Sequence, residues 1–168
     1  MTELDQIWSQ MLDEATRRSS IGDQREISEY LRLRSTNDAI RAAGVSWLFD
    51  TVIEIAGRAM RERYGITIER EDPHNFARGS SNMVGSLLEI RQGVRCLKVE
   101  AGWARTPRDG IMQGGALAYA RILHFGMPRA GVEIRLVHGE SLPSWLSPGG
   151  DTIDSVEIQR HFDIFLGD

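Results

Sequence analysis

The strongest pattern in the chain is a helical recurrence of apolar residues over positions 38–64. The polar run at 35–37 (Ser-Thr-Asn) precedes it and has the residue types that begin helices. Gly65 follows it and is placed to end a helix in the left-handed conformation. The pattern predicts one helix of roughly seven turns, with an apolar stripe wide enough to cover a sheet. The stripe consists of Ile40, Ala43, Trp47, Leu48, Val52, Ile55, Ala56, Ala59 and Met60.

Two shorter amphipathic helices are predicted ahead of the long one. The first spans residues 3–18 and has a single apolar stripe, formed by Leu4, Ile7, Trp8, Met11 and Ala15. The second begins at Asp23, where Glu26 completes a capping-box pattern. We therefore predict an N-terminal helical pair over 1–34, which covers an edge of the fold or reaches a partner. An α+β domain is predicted over 35–168, and the two parts form one compact unit.

Beyond residue 65 apolar residues alternate with polar ones, as they do in strands that bury one face. The alternation predicts strands at 66–70, 83–91, 94–101, 116–125 and 132–138. The fourth of these segments also contains good helix formers, and we favour the strand because predicted strands flank it on both sides. Residues 71–81 are polar and are predicted to form a loop, which Phe76 anchors to the core.

The end of the chain predicts a turn at the sheet edge and a final helix. Residues 142–146 form a short apolar turn that we expect to pack on the sheet edge. Asp151 or Thr152 is placed to cap the final helix, and Gly167 is placed to end it. Together these elements predict an α+β fold. An antiparallel meander of about five strands is covered on one face by the long helix and the C-terminal helix.

Length and composition indicate an ordinary globular protein. With 168 residues and 41% hydrophobic content, the chain can form one domain with a sizeable core. The acidic start matches neither a secretory signal nor a transit peptide, and no apolar run reaches the ~18 residues of a membrane helix. We therefore expect a cytoplasmic location and no membrane partner. Lys98 is the only lysine beside nineteen arginines, a bias typical of bacteria with genomes rich in G and C. Cys96 is the only cysteine, which excludes an internal disulfide.

The segment 103–115 is the best candidate for a ligand site. It lies within residues 91–135, which carry eight basic and three acidic side chains and so suit an anionic ligand. Successive glycines can turn backbone N–H groups around an anion, and arginines can clamp a phosphate or carboxylate. The residues predicted to bind are Trp103, Arg105, Arg108, Gly114, Gly115 and Arg121. Because no complete phosphate-loop pattern is present, a hairpin loop punctuated by glycines is the alternative.

Glu100, His124 and His138 are the candidate catalytic residues because each lies near a predicted strand end. A histidine beside a carboxylate can act as a general base, and two histidines with a carboxylate can hold zinc or iron. No HxH, HxxxH or HExxH spacing ties these residues together. We therefore predict no metal and no cofactor, and the alternative is that the histidines are structural.

A charged sheet face is predicted on the hairpin formed by the second and third strands. Glu89 on one strand and Lys98 and Glu100 on the next point away from the apolar face, as in a solvated ladder of charges. A magnesium-dependent nuclease could combine these groups with Glu54 or Glu62. However, the lysine precedes the glutamate here, which reverses the usual Glu-x-Lys order.

These observations favour a bacterial binding or adaptor module. We expect it to engage a protein partner, a second copy of itself or an anionic small molecule through the loop 103–115 and the charged sheet face. Trp103, Tyr119 and Phe125 lie among arginines, which would suit base stacking. Nucleic acid is nevertheless not expected, because the pI is about 5.6 and aromatic residues make up only 7% of the chain. A small hydrolase or nuclease built on the three candidate catalytic residues is the alternative.

Overall fold

The computed structural model describes residues 8–11, 21–140 and 142–168. In that part of the chain, a long helix precedes a six-stranded sheet and a shorter helix follows it. The elements are α1 (Ile21–Glu62), β1 (Ile66–Arg78), β2 (Ser81–Gln92), β3 (Arg95–Trp103), β4 (Ala118–His124), β5 (Val132–Val137), β6 (Ser144–Leu146) and α2 (Ser155–Leu166). Short 3-10 turns lie at Pro107–Asp109 and Pro128–Ala130. The strands form one antiparallel meander in the order of the sequence. The predicted α+β class with an antiparallel sheet is therefore confirmed.

Both helices pack on one face of the sheet, as predicted. Alternate residues of β2 and β3, such as Leu88 and Val99, join Phe49 of α1 and Phe162 of α2 in a single buried cluster. Burying an aliphatic or aromatic side chain of this size stabilises the fold by about 1.5–3 kcal/mol. This layer of side chains is the main core. Among the described residues, no helix combines the length and apolarity that crossing a membrane requires.

The long helix is continuous where the sequence predicted a boundary. α1 runs through the polar run at 35–37, so the prediction of a separate second helix is wrong. Thr36 donates its hydroxyl hydrogen to the carbonyl of Arg32 at 2.9 Å, a bond that serine and threonine make inside helices. No glycine or proline occurs over 23–43 to end the helix. The predicted division at residue 34 therefore falls inside α1.

The predicted helix over 3–18 lies almost entirely outside the described residues. Within it, only Trp8–Met11 are described, and they are helical. The predicted N-terminal helical pair is therefore not supported: its second member is part of α1.

The first strand is much longer than predicted, and the predicted loop over 71–81 is wrong. β1 pairs with β2 from Ile66 opposite Gln92 to Arg78 opposite Ser81, with an irregularity between Glu71 and His74. The Asp72–Pro73 peptide bond in this irregularity is cis. The outer half of β1 carries polar side chains that meet polar partners across the sheet. The alternation of apolar residues therefore does not reveal this part of the strand.

The hairpin of β2 and β3 has the predicted faces, but its turn is displaced by one residue. Gln92 pairs with Arg95, so Gly93 and Val94 form the turn, and Gly93 has a φ of 60° that favours glycine. Glu89 lies opposite Lys98, as the charge ladder requires. Residues 118–124 form a strand, as favoured from the sequence.

The C-terminal part of the chain contains a sixth strand, and the predicted cap of the final helix is wrong. The predicted apolar turn over 142–146 contains β6, which pairs with β5 at the sheet edge. Asp154, not Asp151 or Thr152, caps α2 by accepting the Glu157 N–H at 3.0 Å. Gly167 ends the helix with a φ of 78°, as predicted.

Candidate ligand-binding cleft

Three polar residues of α1 face the loop that joins β3 to β4. Arg34, Asn37 and Arg41 are separated by three and four positions, which places them on one side of the helix. Arg34 Nη2 donates to the carbonyl of Arg105 at 3.4 Å, and Arg41 Nε donates to the carbonyl of Leu117 at 2.7 Å. These bonds tie the helix to both ends of the loop.

Two adjoining cavities lie between this side of α1 and the loop. Their volumes are about 530 and 420 Å³, within the range of small-molecule sites. Both cavities are lined by Arg34, Arg41, Ala104 and Arg105. We call the two cavities together the arginine cleft. Two elements distant in the sequence thus bring three arginines to one concavity.

The loop side of the cleft is held in place by its own hydrogen bonds. The Arg105 guanidinium lies 3.6 Å from the centre of the Trp103 ring and donates to the carbonyl of Val84 at 3.1 and 3.2 Å. The Asp109 carboxylate accepts the backbone N–H groups of Arg105 and Thr106 at 3.0 and 3.1 Å. A ligand would therefore meet a preorganised wall.

Two polar groups in the cleft lack partners in the described part of the chain. Arg41 uses Nε on Leu117 and Nη1 on Asp38 at 2.8 Å, and its Nη2 makes no hydrogen bond there. Asn37 Oδ1 is buried and also has no hydrogen-bond partner. Leaving a buried amide oxygen unpaired costs about 1–3 kcal/mol. Arg41 Nη2 is therefore available to donate to an anion, whereas the buried Asn37 Oδ1 offers no accessible surface to a ligand.

The second cavity has an apolar wall beside these groups. It is formed by Trp8, Tyr30, Leu33, Ile111 and Met112. Leu33 is 59% exposed and Ile111 is 80% exposed, which is high for large aliphatic residues. The cleft thus combines charged, polar and apolar surfaces.

The predicted ligand-binding residues fall in different places. Trp103 and Arg105 line the cleft, whereas Arg108 lines a third cavity of about 360 Å³ beside Asn82 and Asp109. Gly114 and Gly115 are exposed in the loop, with φ of 63° and 71°. They precede a strand, so no helix dipole adds to an anion site at that point. Arg121 lies on the opposite face of the sheet, away from the helices.

That opposite face carries a set of ion pairs. Glu100 is only 8% exposed, and its carboxylate lies 2.7 Å from His74 Nε2 and 3.5 Å from Arg121 Nη1. Glu133 accepts from Arg121 Nε at 3.2 Å and from Arg78 Nε at 2.8 Å. We call these five residues the sheet-face network. Each charged member lies within ion-pair distance of at least one opposite charge, which is the usual state of buried charges.

Aromatic rings cover the arginines of this network. The Arg78 guanidinium lies 3.8 Å from the centre of the Tyr119 ring, and that of Arg121 lies 5.4 Å from the centre of the Phe76 ring. The two rings belong to a second, smaller apolar cluster with Met83 and Ala116. The network is therefore part of a packed layer on this face of the sheet.

The predicted charge ladder occupies the neighbouring part of the same face. Glu89 lies 2.9 Å from Lys98 Nζ and 2.6 Å from Arg91 Nη2. The hydrogen bond from Lys98, and then that from Arg91, lowers the pKa of Glu89 below its usual range. The same bond raises the pKa of Lys98. Glu89 and Lys98 are thus paired as in the predicted ladder, but Glu100, which was predicted to belong to it, is buried in the sheet-face network.

The three candidate catalytic residues are not brought together. Glu100 lies in the sheet-face network, whereas His124 lies opposite Leu97 on the face covered by the helices. His124 Nε2 is 2.9 Å from Nδ1 of His161 on α2, and His138 is exposed after β5. The carboxylate and the two histidines therefore have no common substrate position.

The buried histidine pair is kept neutral by its surroundings. Burial lowers the pKa of His161 to about 4, and the adjacent His124 contributes to the same shift. Burial also lowers the pKa of His124, whose Nδ1 has no hydrogen-bond partner in the described part of the chain. The pair joins α2 to the sheet as an uncharged contact.

Sequence reasoning missed Arg34, Asn37 and Arg41 as members of a site. Their spacing of three and four positions on a helix was the available signal, but arginine is so frequent in this chain that the spacing does not stand out. Within residues 8–11, 21–140 and 142–168, no three His, Cys, Asp or Glu side chains lie where they could hold a metal ion. No protein-family model, curated protein or solved structure matches this chain. The geometry of the cleft is therefore the basis for a functional proposal.

Proposed function

We propose that this protein is a binding module that holds the anionic group of its ligand in the arginine cleft. One observation carries the proposal: Arg34, Arg41 and Arg105, from a helix and a distant loop, line the same pair of cavities. Guanidinium groups bind carboxylates and phosphates through parallel N–H donors. Asp38 is the only carboxylate among the cavity-lining residues described, and it is paired with Arg41.

The sheet-face network has a different role in this proposal. Its charges are directed at one another, so they stabilise the sheet and leave the cleft as the binding surface. Catalysis by Glu100, His124 and His138 is not proposed, because the carboxylate and His124 lie on opposite faces of the sheet.

Isothermal titration with sodium acetate and with inorganic phosphate tests the proposal. We expect saturable binding of at least one anion at constant ionic strength. Arg41→Gln should weaken it at least tenfold, because Arg41 brings the donor that has no partner in the described residues. Arg41→Lys should restore only part of the affinity, since lysine keeps the charge but not the fork of donors.

Arg129→Gln is the matched control for these variants. Arg129 is an exposed arginine in the turn between β4 and β5, at the end of the sheet opposite the cleft. We expect this variant to bind the anion as tightly as the unaltered protein does. Equal affinities for Arg41→Gln and Arg129→Gln, with both proteins folded, would place the anion elsewhere and overturn the proposal.

A further inference from the structure

The second cavity of the arginine cleft, of about 420 Å³, joins a cationic donor to an apolar wall. We infer that its ligand is an amphiphile, with an anionic head group on an apolar chain of several carbons. The head group lies on Arg41 and the chain lies on the wall. This inference rests on the proposed binding function, because it specifies the part of the ligand that lies beyond the anion.

The apolar wall is formed by two elements of the fold. Tyr30 and Leu33 come from α1, whereas Ile111 and Met112 come from the loop between β3 and β4. Met112 is held in the loop because its Sδ accepts the backbone N–H of Ala104 at 3.4 Å. Since the cavity lies between the helix and the loop, a chain that enters it meets apolar side chains from both.

The exposure of this wall indicates that the ligand has an apolar part. Tyr30 is 53% exposed, Leu33 is 59% exposed and Ile111 is 80% exposed. A single exposed apolar residue is ordinary, but three that line one cavity beside arginines are typical of a ligand-binding groove. An apolar chain placed there removes this surface from water, and each methylene group that is fully buried raises the affinity about fourfold.

Arg41 supplies the contact for the anionic head group. Its Nη2 has no hydrogen-bond partner in the described part of the chain, and its side chain is 16% exposed. Among the described residues that line the second cavity, none carries a carboxylate. An anion that enters this cavity therefore meets cationic side chains and no acidic group on its described walls.

The separation between Arg41 and the wall indicates how long the apolar chain is. Leu33 precedes Arg41 by eight positions, which corresponds to about 12 Å along the helix axis. The guanidinium of Arg41 extends back toward the wall by roughly one turn, because its Nη1 donates to Asp38. Roughly 7 Å along the helix then remains between the guanidinium and Leu33. Acetate is too short to span this distance, whereas a chain of several carbons reaches the wall.

Isothermal titration with compounds matched in head group and chain tests the inference on the full-length protein, below the concentrations at which they form micelles. Sodium octanoate presents both parts, acetate lacks the chain, and octanol lacks the charge. We expect octanoate to bind more tightly than acetate and than octanol, by about tenfold or more in each case. Octyl phosphate, compared with inorganic phosphate, should show the same gain from the chain. The tighter of the two octyl compounds identifies the head group as a carboxylate or a phosphate.

Leu33→Gln separates the contact with the chain from the contact with the head group. Glutamine preserves the helix and replaces the apolar surface, so this variant should bind octanoate about fivefold more weakly and acetate as tightly as the unaltered protein does. Met60→Gln is the matched control. Met60 is an apolar residue of α1 that is 44% exposed and is not among the described residues that line the cleft. We expect its substitution to leave octanoate binding unchanged.

The possible results distinguish this inference from the proposed function. Octanoate that binds no more tightly than acetate or octanol, or that is weakened equally by Leu33→Gln and Met60→Gln, would overturn the inference. If acetate or phosphate still depends on Arg41 in that case, the proposed function stands. If no anion depends on Arg41, with or without a chain, the proposed function fails as well.

Discussion

The arginine cleft and the sheet-face network are both rich in arginine, yet their polar groups are arranged in opposite ways. In the network, Glu100 and Glu133 each lie against two cationic side chains. In the cleft, Arg41 Nη2 and Asn37 Oδ1 have no hydrogen-bond partner in the described part of the chain. The difference teaches that composition alone does not mark a binding site. What distinguishes the two regions is that Arg41 and Asn37 each keep one polar atom that is not hydrogen-bonded within the described part of the fold.

This contrast assigns stability to one region and binding to the other. Substitutions in the network should lower the free energy of unfolding and leave ligand affinity unchanged. In the cleft, substitution of Arg41 should weaken anion binding, and substitution of Asn37 should have a small or even favourable effect on stability, because binding sites retain polar groups that the fold itself does not need.

The largest loss of stability is expected from a substitution at Gly85, a residue of β2 that lies between β1 and β3. Gly85 lies opposite His74 on one side and Gly102 on the other. A Cβ atom there would overlap the carbonyl oxygen of Ala101, so the backbone would have to move. We expect Gly85→Ala to destabilise the protein by about 3 kcal/mol or more in urea unfolding.

Gly57→Ala is the control for this substitution. Gly57 lies inside α1, and among the described residues a Cβ atom added there would meet nothing within 4 Å beyond the helix's own backbone. Alanine should therefore stabilise the helix by about 0.5–1 kcal/mol. A Gly85→Ala protein as stable as the Gly57→Ala protein would show that the close approach of β2 and β3 at Gly85 does not limit stability.

Removal of the Glu100 carboxylate should have the next largest effect. Glu100→Ala leaves His74 and Arg121 without their shared partner in a mostly buried position, which should cost about 2–3 kcal/mol. The comparison is Glu89→Ala, whose partners Arg91 and Lys98 are 51% and 41% exposed and for which we expect about 1 kcal/mol or less. Similar losses in the two variants would remove the distinction between the network and the solvated ladder.

Acid should test the buried pair formed by His124 and His161. His161 has a folded-state pKa of about 4, below its usual 6.5, so the unfolded chain binds more protons between these values. The free energy of unfolding should therefore be highest above pH 6.5 and fall by about 2–3 kcal/mol as the pH is lowered to 4. His161→Phe should flatten this part of the profile. An unchanged profile in that variant would assign the acid sensitivity to other groups.

The smallest expected change in the free energy of unfolding is an increase, and it comes from a substitution in the cleft. Asn37→Leu removes the buried oxygen that has no partner in the described residues and introduces a better helix former, so we expect about 0.5–1 kcal/mol of added stability. Ser46→Leu, at an exposed position of α1, measures the part due to helix propensity. A destabilised Asn37→Leu protein would indicate that the oxygen is used within the fold, and the contrast between the two regions would be lost.

Local periodicity was sufficient to predict the elements that bury one face. The apolar stripe of α1 recurs every three or four residues, and apolar residues alternate along β2 and along β3. Each of these elements can therefore be recognised from its own segment of the sequence. The outer half of β1 could not be found this way, because its polar side chains are explained only by distant partners. Arg78, for example, reaches Glu133, which is 55 positions away.

The polar run at 35–37 led to a wrong boundary in α1 for a related reason. Its residue types permit a helix to begin but do not require one to do so, and the helix continues through them. Of the residues that line the cleft, Trp103 and Arg105 lie in the segment 103–115, which was predicted to be a ligand site because of its glycines and arginines. Arg41, in contrast, contacts Leu117 across 76 positions of sequence. A wall formed by two distant segments cannot be seen in either one alone.

The most direct test of the cleft is a nitrogen-15 NMR titration that follows arginine side-chain Nε–H and tryptophan indole signals as sodium acetate is added at constant ionic strength. We expect the signals of Arg41 and Trp103 to shift together with one dissociation constant, while those of Arg78 and Arg121 stay in place. Shifts confined to Arg78 and Arg121 would contradict binding in the cleft. So would a Trp103 signal that moves as far on titration of the Arg41→Gln protein as it does in the unaltered protein.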